Sequence, residues 1–314
     1  TQRTSSAASD VYKRQVHTDS NMIYKCNIKG KFRSFGIKST NPIAVGDIVH
    51  FEIIDHNELT GVIYEIETRK NYIVRKSVNL SKQSHIIASN IDCCFLFVTP
   101  NNPITSSIFI DRILVATKSF GIETIILFNK IDLYTKIDIE YIDSLNKIYS
   151  SVGYRCLNIS VLKKTNINHV EDLMKNKTSI FTGHSGVGKS SLVNLLDSNL
   201  NLKTAKVSKQ NEQGQHTTTF AEMFDLNFGA KIIDSPGIKG FGLIDIEKRE
   251  LGDCFSEFLL FKEDCKFNNC LHENEPNCAV KQAVKSGVIS KSRYKSYLSM
   301  LVDEDKNYRT DFWN

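Results

Sequence analysis

The chain has 314 residues, of which 41% are hydrophobic and 24% charged, as is typical of a soluble globular protein. This length predicts two or three domains that can each bury a core, and the lack of an apolar run long enough to cross a bilayer argues against a membrane protein. A formal net charge of +5 is too small to indicate a nucleic-acid partner by itself.

Residues 1–15 lack an initiator methionine and the apolar core of a signal peptide. We treat them as a foreign or truncated leader and leave them out of the predicted fold. The eight cysteines are unevenly placed rather than spread as a disulfide framework, which favours a reducing compartment. We therefore expect a cytoplasmic protein without a membrane partner.

Residues 16–85 predict a small β-barrel of the oligonucleotide-binding (OB) type. Short alternating runs such as residues 23–28 and 48–53 are separated by turn signals, among them Asn41-Pro42 and Gly46-Asp47. Basic residues are frequent in this region, which suits a nucleic-acid surface. A solvated barrel surface fits the same pattern nearly as well.

Residues 86–242 alternate strands with helices, which is the pattern of a parallel sheet. The predicted strands are residues 91–98, 123–128, 154–159 and 178–182, and the predicted helices between them are residues 106–120 and 139–152. Because ligands bind at the carboxyl ends of parallel strands, motifs at these ends are the candidates for a functional site.

The tetrapeptide Asn129-Lys130-Ile131-Asp132 follows the predicted strand 123–128 and fits the guanine-reading motif of a G domain. The Asp132 carboxylate would accept hydrogen bonds from N1–H and N2–H of guanine, which adenine does not supply in the same way. Asn129 would tie neighbouring loops together, and the stem of Lys130 would cover the base. Alone, such a tetrapeptide is also a common turn. Ser160 suits the remaining base-contact loop, although serine at a strand end is usually a cap.

A phosphate-loop pattern lies between the strand 178–182 and an amphipathic stretch. Its residues are Gly183, His184, Ser185, Gly186, Val187, Gly188, Lys189 and Ser190. Backbone N–H groups of such a loop point at the phosphates, Lys189 would neutralise their charge, and Ser190 would bind magnesium. We interpret His184 as a permissive loop residue rather than a catalyst.

Two later segments complete the nucleotide motifs. Asp234 ends an apolar run before Ser235-Pro236-Gly237, so it can hold magnesium through water while the Gly237 N–H meets the γ-phosphate. Residues 214–219, which follow the polar stretch that begins at Lys203, are the predicted nucleotide-sensing switch, in which one threonine can close on magnesium and the γ-phosphate. The candidate threonines are Thr217, Thr218 and Thr219.

Ile238 follows Gly237 at the place where Ras-like enzymes have a glutamine that orients the attacking water. A hydrophobic side chain cannot do this, so hydrolysis must be slow, assisted from elsewhere, or both. His216 is the candidate catalytic residue, since it could position or deprotonate the water. A purely structural His216 fits the sequence equally well.

Residues 243–314 predict a small helical module held by a metal ion. Helical spacing covers residues 248–262 and 289–303, on either side of a cysteine-rich loop. The loop supplies the complete ligand set of one structural zinc ion, three thiols and an imidazole. These ligands are Cys265, Cys270, His272 and Cys278. Core cysteines would lie in apolar runs instead, as Cys93 and Cys94 do.

Residues 279–300 carry five basic residues and no acidic one, and they include Tyr294 and Tyr297, which could stack on bases. The basic residues are Lys281, Lys285, Lys291, Arg293 and Lys295. This stretch predicts an RNA-binding surface, and a solvated helix face is about equally consistent with it.

The guanine motif precedes the phosphate loop and Asp234 comes last, which reverses the usual order and indicates a circularly permuted G domain. This order, the Gly214-x-His216-Thr-Thr-Thr segment and the Cys-x4-Cys-x-His-x5-Cys spacing together resemble the ribosome small-subunit-dependent GTPase A family. The resemblance extends over about residues 24–297.

The resemblance implies a multi-domain α/β protein: an OB-type barrel, a circularly permuted P-loop GTPase domain and a helical zinc-binding module. It implies a monomer that binds GTP with Mg²⁺, uses residues 183–191 (including Ser191) for the phosphates, and docks on the small ribosomal subunit and its rRNA during late maturation. The subunit would stimulate GTP hydrolysis. The competing hypothesis is a nucleotide-gated RNA-binding placeholder with incidental hydrolysis.

Two features depart from the family pattern. Gln215 stands where the family usually has arginine or lysine before the switch histidine, which puts subunit stimulation or an RNA contact in doubt. The strand that opens the family's barrel is not evident within residues 1–15, so we expect an incomplete barrel.

Overall fold

A computed structural model of the protein describes residues 3–7, 14–18, 20, 22–29, 42–76, 84–198, 200, 222–234 and 246–302. The chain forms two compact units. The first contains Thr1–Phe95, Asn166–Thr182 and Gly188–Gly240, and the second contains Leu96–Thr165, Gly183–Val187 and Phe241–Asn314. None of the described helices is long and apolar enough to span a membrane.

The first unit begins with a closed barrel of five strands. These are β1 (Arg3–Ala7), β2 (Arg14–His17), β3 (Ile23–Ile28), β4 (Ile48–Asp55) and β5 (Thr60–Ile66). Their order is β1-β2-β3-β5-β4, with β3 parallel to β5 and the other neighbours antiparallel. Strand alternation explains the packing, because Tyr24 and Cys26 are buried while Lys25 and Asn27 are exposed. The closed barrel confirms the predicted OB type.

The beginning of the chain corrects two expectations. Residues 3–7 and 14–15 do not stand outside the fold, and the barrel is not incomplete. β1 pairs with both β2 and β4 and so closes the barrel. The polar sequence of β1 did not predict a barrel strand. β1 is held in the barrel by backbone hydrogen bonds, which require no apolar side chain.

Residues 42–47 connect the barrel region by hydrogen bonds to a hairpin formed by β6 (Tyr72–Lys76) and β7 (Ser84–Ser89). The fully buried Asp47 carboxylate accepts hydrogen bonds from Arg69 at 2.6 and 2.7 Å and from the Ser89 hydroxyl at 2.6 Å. Gly46 has a φ of +93°, and a Cβ at this position would lie 2.1 Å from the Ser89 carbonyl oxygen. Only glycine therefore fits this turn.

A second sheet carries the nucleotide motifs, and its strand β8 (Cys93–Val98) runs from the first unit into the second. In the first unit the order is β8-β11-β13-β12, and in the second it is β10-β9-β8. The bounds are β9 (Glu123–Phe128), β10 (Arg155–Asn158), β11 (Thr178–Thr182), β12 (Glu222–Asp225) and β13 (Lys231–Asp234). β9 pairs parallel with β10 and β11 with β13, while β12 is antiparallel.

The predicted strands and helices of this region are confirmed with small shifts of their ends. β9 and β11 have the predicted bounds, while β8 and β10 are shorter. The helices are α1 (Ser107–Ser119), α2 (Lys136–Ser151), α3 (Ile167–Met174) and α4 (Lys189–Leu196). α2 begins earlier than predicted because Thr135 and Asp138 form a reciprocal capping box at its start.

Residues 246–302 form four α-helices, α5 (Lys248–Leu251), α6 (Ser256–Leu259), α7 (Ala279–Lys285) and α8 (Lys291–Val302), and two turns of 3-10 helix. The single helix predicted over residues 248–262 is wrong. The helix is interrupted at Phe255, whose backbone is extended. The Phe255 ring lies in the core, 5.0 Å from the Phe258 ring. Core packing here outweighs the helical spacing of the sequence.

A buried charge cluster joins this module to α1 within the second unit, and we call it the Arg293 cluster. Arg293 of α8 donates to Asp111 of α1 at 2.7 Å and to both oxygens of Glu257 of α6 at 2.7 and 3.0 Å. The Tyr149 hydroxyl of α2 donates to the same Asp111 oxygen at 3.0 Å. Burial alone would lower the pKa of Arg293, but the two carboxylates raise it well above its ordinary value.

The Arg293 cluster corrects part of the predicted RNA-binding stretch. Arg293 and Tyr297 are each only 1% exposed, and Tyr297 donates its hydroxyl to the Leu271 carbonyl. Both side chains therefore belong to the core and cannot contact RNA. Three of the five lysines and arginines remain exposed, namely Lys285, Lys291 and Lys295.

Candidate functional site

Asn129 joins the loops at the carboxyl end of β9. It is 1% exposed, and its Nδ2 donates to the Val187 carbonyl at 2.8 Å. Its Oδ1 accepts from the Val161 N–H at 3.3 Å. One amide side chain thus holds the predicted base-reading loop, the loop of Ser160 and the phosphate loop together.

Lys130 has a left-handed backbone, with φ of +70° and ψ of 32°. Its ammonium group donates to the Asn102 carbonyl at 2.6 Å, which stretches the side chain across the neighbouring loop. Burial lowers the pKa of Lys130, and the Asp132 carboxylate partly opposes this shift. Ile131 follows and donates its N–H to the Ile159 carbonyl at 3.3 Å.

Asp132 is oriented by Ser160. The buried Ser160 hydroxyl donates to Asp132 Oδ1, and the same hydroxyl oxygen accepts from the Lys163 N–H at 3.0 Å. The geometry brings these two sequence-predicted residues together and makes Ser160 a direct support of the carboxylate. An acidic acceptor held at a strand end can pair with adjacent N–H donors of a base.

Tyr134 is a residue of this site that the sequence reasoning missed. Its hydroxyl donates to the Asn129 carbonyl at 2.6 Å, and burial raises its pKa above the ordinary range. The signal that could have found it is positional, because an aromatic residue two positions after a short motif can fold back over the turn.

The phosphate loop has the backbone that its glycines allow. Gly183, Gly186 and Gly188 have φ values of +137°, +81° and +106°. A Cβ on Gly183 would lie 2.7 Å from the Phe97 carbonyl oxygen, so this position accepts only glycine. Helix α4 starts at Lys189 directly after the loop, with Ser190 and Ser191 in its first turn, and its N-terminal N–H groups favour an anion.

Three loop residues between these glycines have distinct environments. The His184 ring stacks on Phe109 of α1, with centroids 4.1 Å apart. Ser185 is exposed, whereas Val187 is fully buried and packs beneath the loop. The stacking gives His184 a structural contact with α1.

The rest of the predicted nucleotide site lies outside the described residues. This applies to Gln215, His216, Thr217, Thr218, Thr219, Gly237 and Ile238. Asp234 is the last residue of β13, so its backbone stands at the carboxyl end of that strand.

Four ligand atoms in the helical module could hold a metal ion. Those of Cys265, Cys270, His272 and Cys278 all lie within 4.8 Å of one another. His272 Nδ1 is 3.4 Å from Cys278 Sγ and 3.6 Å from Cys265 Sγ, and the two sulfurs are 3.8 Å apart. Burial lowers the pKa of His272, which favours the neutral imidazole that metal binding requires.

Two family models match this chain, and both are named for the same family. The family model described as RsgA GTPase matches residues 66–244, and the model described as RsgA N-terminal domain matches residues 5–63. A "Small ribosomal subunit biogenesis GTPase RsgA" of Flavobacterium psychrophilum is 56% identical over 92% of this chain and 89% of its own length. The protein of the same name from Christiangramia forsetii is 54% identical over 95% of both chains.

Two solved structures have the same fold. YjeQ from Thermotoga maritima matches with a TM-score of 0.78 and 32% identity, covering 96% of both chains. YloQ, described as a circularly permuted GTPase, matches with a TM-score of 0.73 and 27% identity, covering 96% of this chain and 93% of that one. These likenesses confirm the predicted permuted GTPase fold, and the chain belongs to the RsgA GTPase family.

Proposed function

We propose that the protein hydrolyses GTP to GDP and phosphate as a late maturation factor of the small ribosomal subunit. The observation that carries this proposal is the identity of 50–56% to several relatives named as small ribosomal subunit biogenesis GTPases. The experiment that tests it is steady-state GTP turnover of the full chain with and without purified small ribosomal subunits. Stimulation supports a subunit-activated hydrolase, whereas unstimulated turnover would favour the RNA-binding placeholder.

In the proposed nucleotide site, Asn129, Lys130 and Asp132 recognise guanine, with Ile131 between them. The support comes from the buried Asn129 amide that joins three loops and from the Ser160 hydroxyl that orients Asp132. We assign the phosphates to the loop from Gly183 to Ser191, because its three glycines adopt positive φ values, as in loops whose N–H groups cradle an anion.

Magnesium would be held by Ser190 and, through water, by Asp234, and one of Thr217 to Thr219 would join it in the GTP state. Bound magnesium would neutralise charge that develops between the β- and γ-phosphates. Since Ile238 cannot orient water, we propose His216 for this role. The domain division that accompanies this proposal is 16–85, 86–242 and 243–314.

We propose that the metal site of the helical module binds one structural zinc ion. A Zn–S bond of about 2.3 Å gives tetrahedral edges of roughly 3.8 Å, close to the spacings among Cys265, His272 and Cys278. Three thiolates and an imidazole fill all four positions, so the ion would hold the fold and take no part in hydrolysis.

Chelation of the denatured protein is expected to release about one zinc ion per chain. Cys270→Ser is expected to lower this content, because it removes one of four ligands, whereas Cys156→Ser in β10 keeps it. The zinc content of each purified protein by mass spectrometry is the measurement. Wild-type protein that carries no zinc, or Cys270 and Cys156 variants with the same content, would contradict the assignment.

The proposed partner is the small subunit through its rRNA, contacted by the barrel and by the helical module. The exposed lysines Lys285, Lys291 and Lys295 support the second contact, because exposed cations are what a phosphate backbone attracts. We further propose that the protein acts as a cytoplasmic monomer.

A further inference from the structure

The base-reading loop is closed by a side chain outside its four-residue motif. The Tyr134 hydroxyl donates to the Asn129 carbonyl at 2.6 Å, while the Tyr134 N–H approaches the Ile131 carbonyl at 3.4 Å. A turn of 3-10 helix, Ile131–Leu133, lies between Asn129 and Tyr134 in the chain. Asp132 therefore lies inside a segment whose two ends, Asn129 and Tyr134, are joined by the Tyr134 hydroxyl.

This segment contains a backbone conformation that needs support. The left-handed φ of +70° at Lys130 is unfavourable for a residue with a side chain, and such conformations persist where surrounding contacts over-determine them. The Leu133 N–H donates to the Lys130 carbonyl at 2.9 Å, and the Lys130 ammonium is held by the Asn102 carbonyl. Tyr134 fixes the peptide on the other side of Lys130.

Guanine recognition makes this support relevant to affinity. The Asp132 carboxylate has to face N1–H and N2–H of guanine together, so the direction of its Cα–Cβ bond matters as well as its charge. Ser160 restrains one carboxylate oxygen, but it does not restrain the backbone that carries the side chain. A loop that is ordered before binding avoids paying ordering entropy when the nucleotide arrives.

We propose that Tyr134 is a positioning residue for guanine recognition, which holds the Asn129–Asp132 loop in the conformation that presents the Asp132 carboxylate to the base. This inference rests on the proposed function, in which Asp132 reads guanine. Because the phenol is half-buried and burial raises its pKa, the hydroxyl remains a donor throughout the neutral pH range.

The test is Tyr134→Phe in the full chain, which keeps the ring and removes only the donor. We expect affinity for GDP to fall about 2- to 10-fold, the effect of one net hydrogen bond. Affinity for IDP should fall less, because hypoxanthine lacks the exocyclic amino group and makes one fewer hydrogen bond to Asp132. The ratio of the two dissociation constants, measured by calorimetry, is the decisive quantity.

Tyr141→Phe is the matched control, since Tyr141 lies on α2 and its hydroxyl donates no hydrogen bond among the residues described. The thermal midpoint of the nucleotide-free variants is measured in parallel, together with amide exchange at Ile131 and Asp132, which we expect to quicken only in Tyr134→Phe. Tyr134 would have a merely structural role if Tyr134→Phe lowered the affinities for GDP and IDP equally. The same would follow if the thermal midpoint fell while the ratio of the two dissociation constants stayed unchanged. Wild-type protein that bound ADP as tightly as GDP would instead overturn the proposed function.

Discussion

Asp132→Asn is expected to weaken GDP binding by roughly 100- to 10,000-fold, because two hydrogen bonds to a charged carboxylate are worth about 1.5–3 kcal/mol each. It is also expected to raise the affinity for XDP. Xanthine carries a carbonyl where guanine has the exocyclic amino group, and an asparagine amide can donate to that oxygen. The dissociation constants of GDP and XDP, measured by calorimetry, show whether the preference shifts from guanine to xanthine.

Asp143→Asn is the control for this prediction, since it makes the same change at an exposed position of α2 and should bind GDP like the wild type. The Ser160 hydroxyl can donate to an asparagine carbonyl as it does to the Asp132 carboxylate, so the loop should keep its shape. If Asp132→Asn retained full preference for GDP over XDP, the guanine-reading role of Asp132 would be wrong.

Arg293→Met is expected to lower the free energy of unfolding by about 3–5 kcal/mol, because it leaves buried carboxylates without their cation. Asp111 and Glu257 are 0% and 6% exposed, so water cannot replace the guanidinium. The change removes the charged link between α8 and α1 while it preserves much of the side-chain volume. Urea unfolding followed by circular dichroism measures the loss.

Lys295→Met provides the comparison, since Lys295 lies two positions further along the same helix and is exposed. Its replacement should change stability little, in keeping with other exposed positions. Equal stabilities of the Arg293 and Lys295 variants would mean that the buried cluster contributes nothing to the attachment of the helical module.

The parts of the fold that the sequence predicted well are those with local physical requirements. The strands β9 and β11 carry short apolar runs, Ile125–Phe128 and Ile180-Phe181, just before turn residues, and the phosphate loop needs glycine at positive φ. Because such requirements act within a few residues, spacing alone places these elements and the candidate nucleotide residues at their ends.

The features that sequence reasoning missed depend on contacts between distant residues. Arg293 looked like one basic residue in a charged stretch, yet its partner Asp111 lies 182 residues away in the chain. Phe255 interrupts a predicted helix because the core takes its ring, and β1 joins the barrel through backbone pairing. No local pattern carries this information.

The permuted order of the motifs determines which modules lie before and after the G domain in the chain. The barrel precedes the residues proposed to read guanine, and the helical module follows Asp234, the last of the predicted nucleotide motifs. The two regions proposed to contact rRNA therefore stand at opposite ends of the G domain sequence. Within the second unit, the Arg293 cluster attaches the helical module to α1, whose Phe109 stacks on His184 of the phosphate loop.

The measurement that tests the central claim most directly is steady-state GTP turnover of the full chain over a range of small-subunit concentrations. We expect turnover to rise with subunit concentration and to saturate, while purified large subunits produce no such rise and Lys189→Ala stays inactive throughout. Turnover that is the same with and without small subunits would contradict the claim that this protein is a GTPase activated by the small ribosomal subunit.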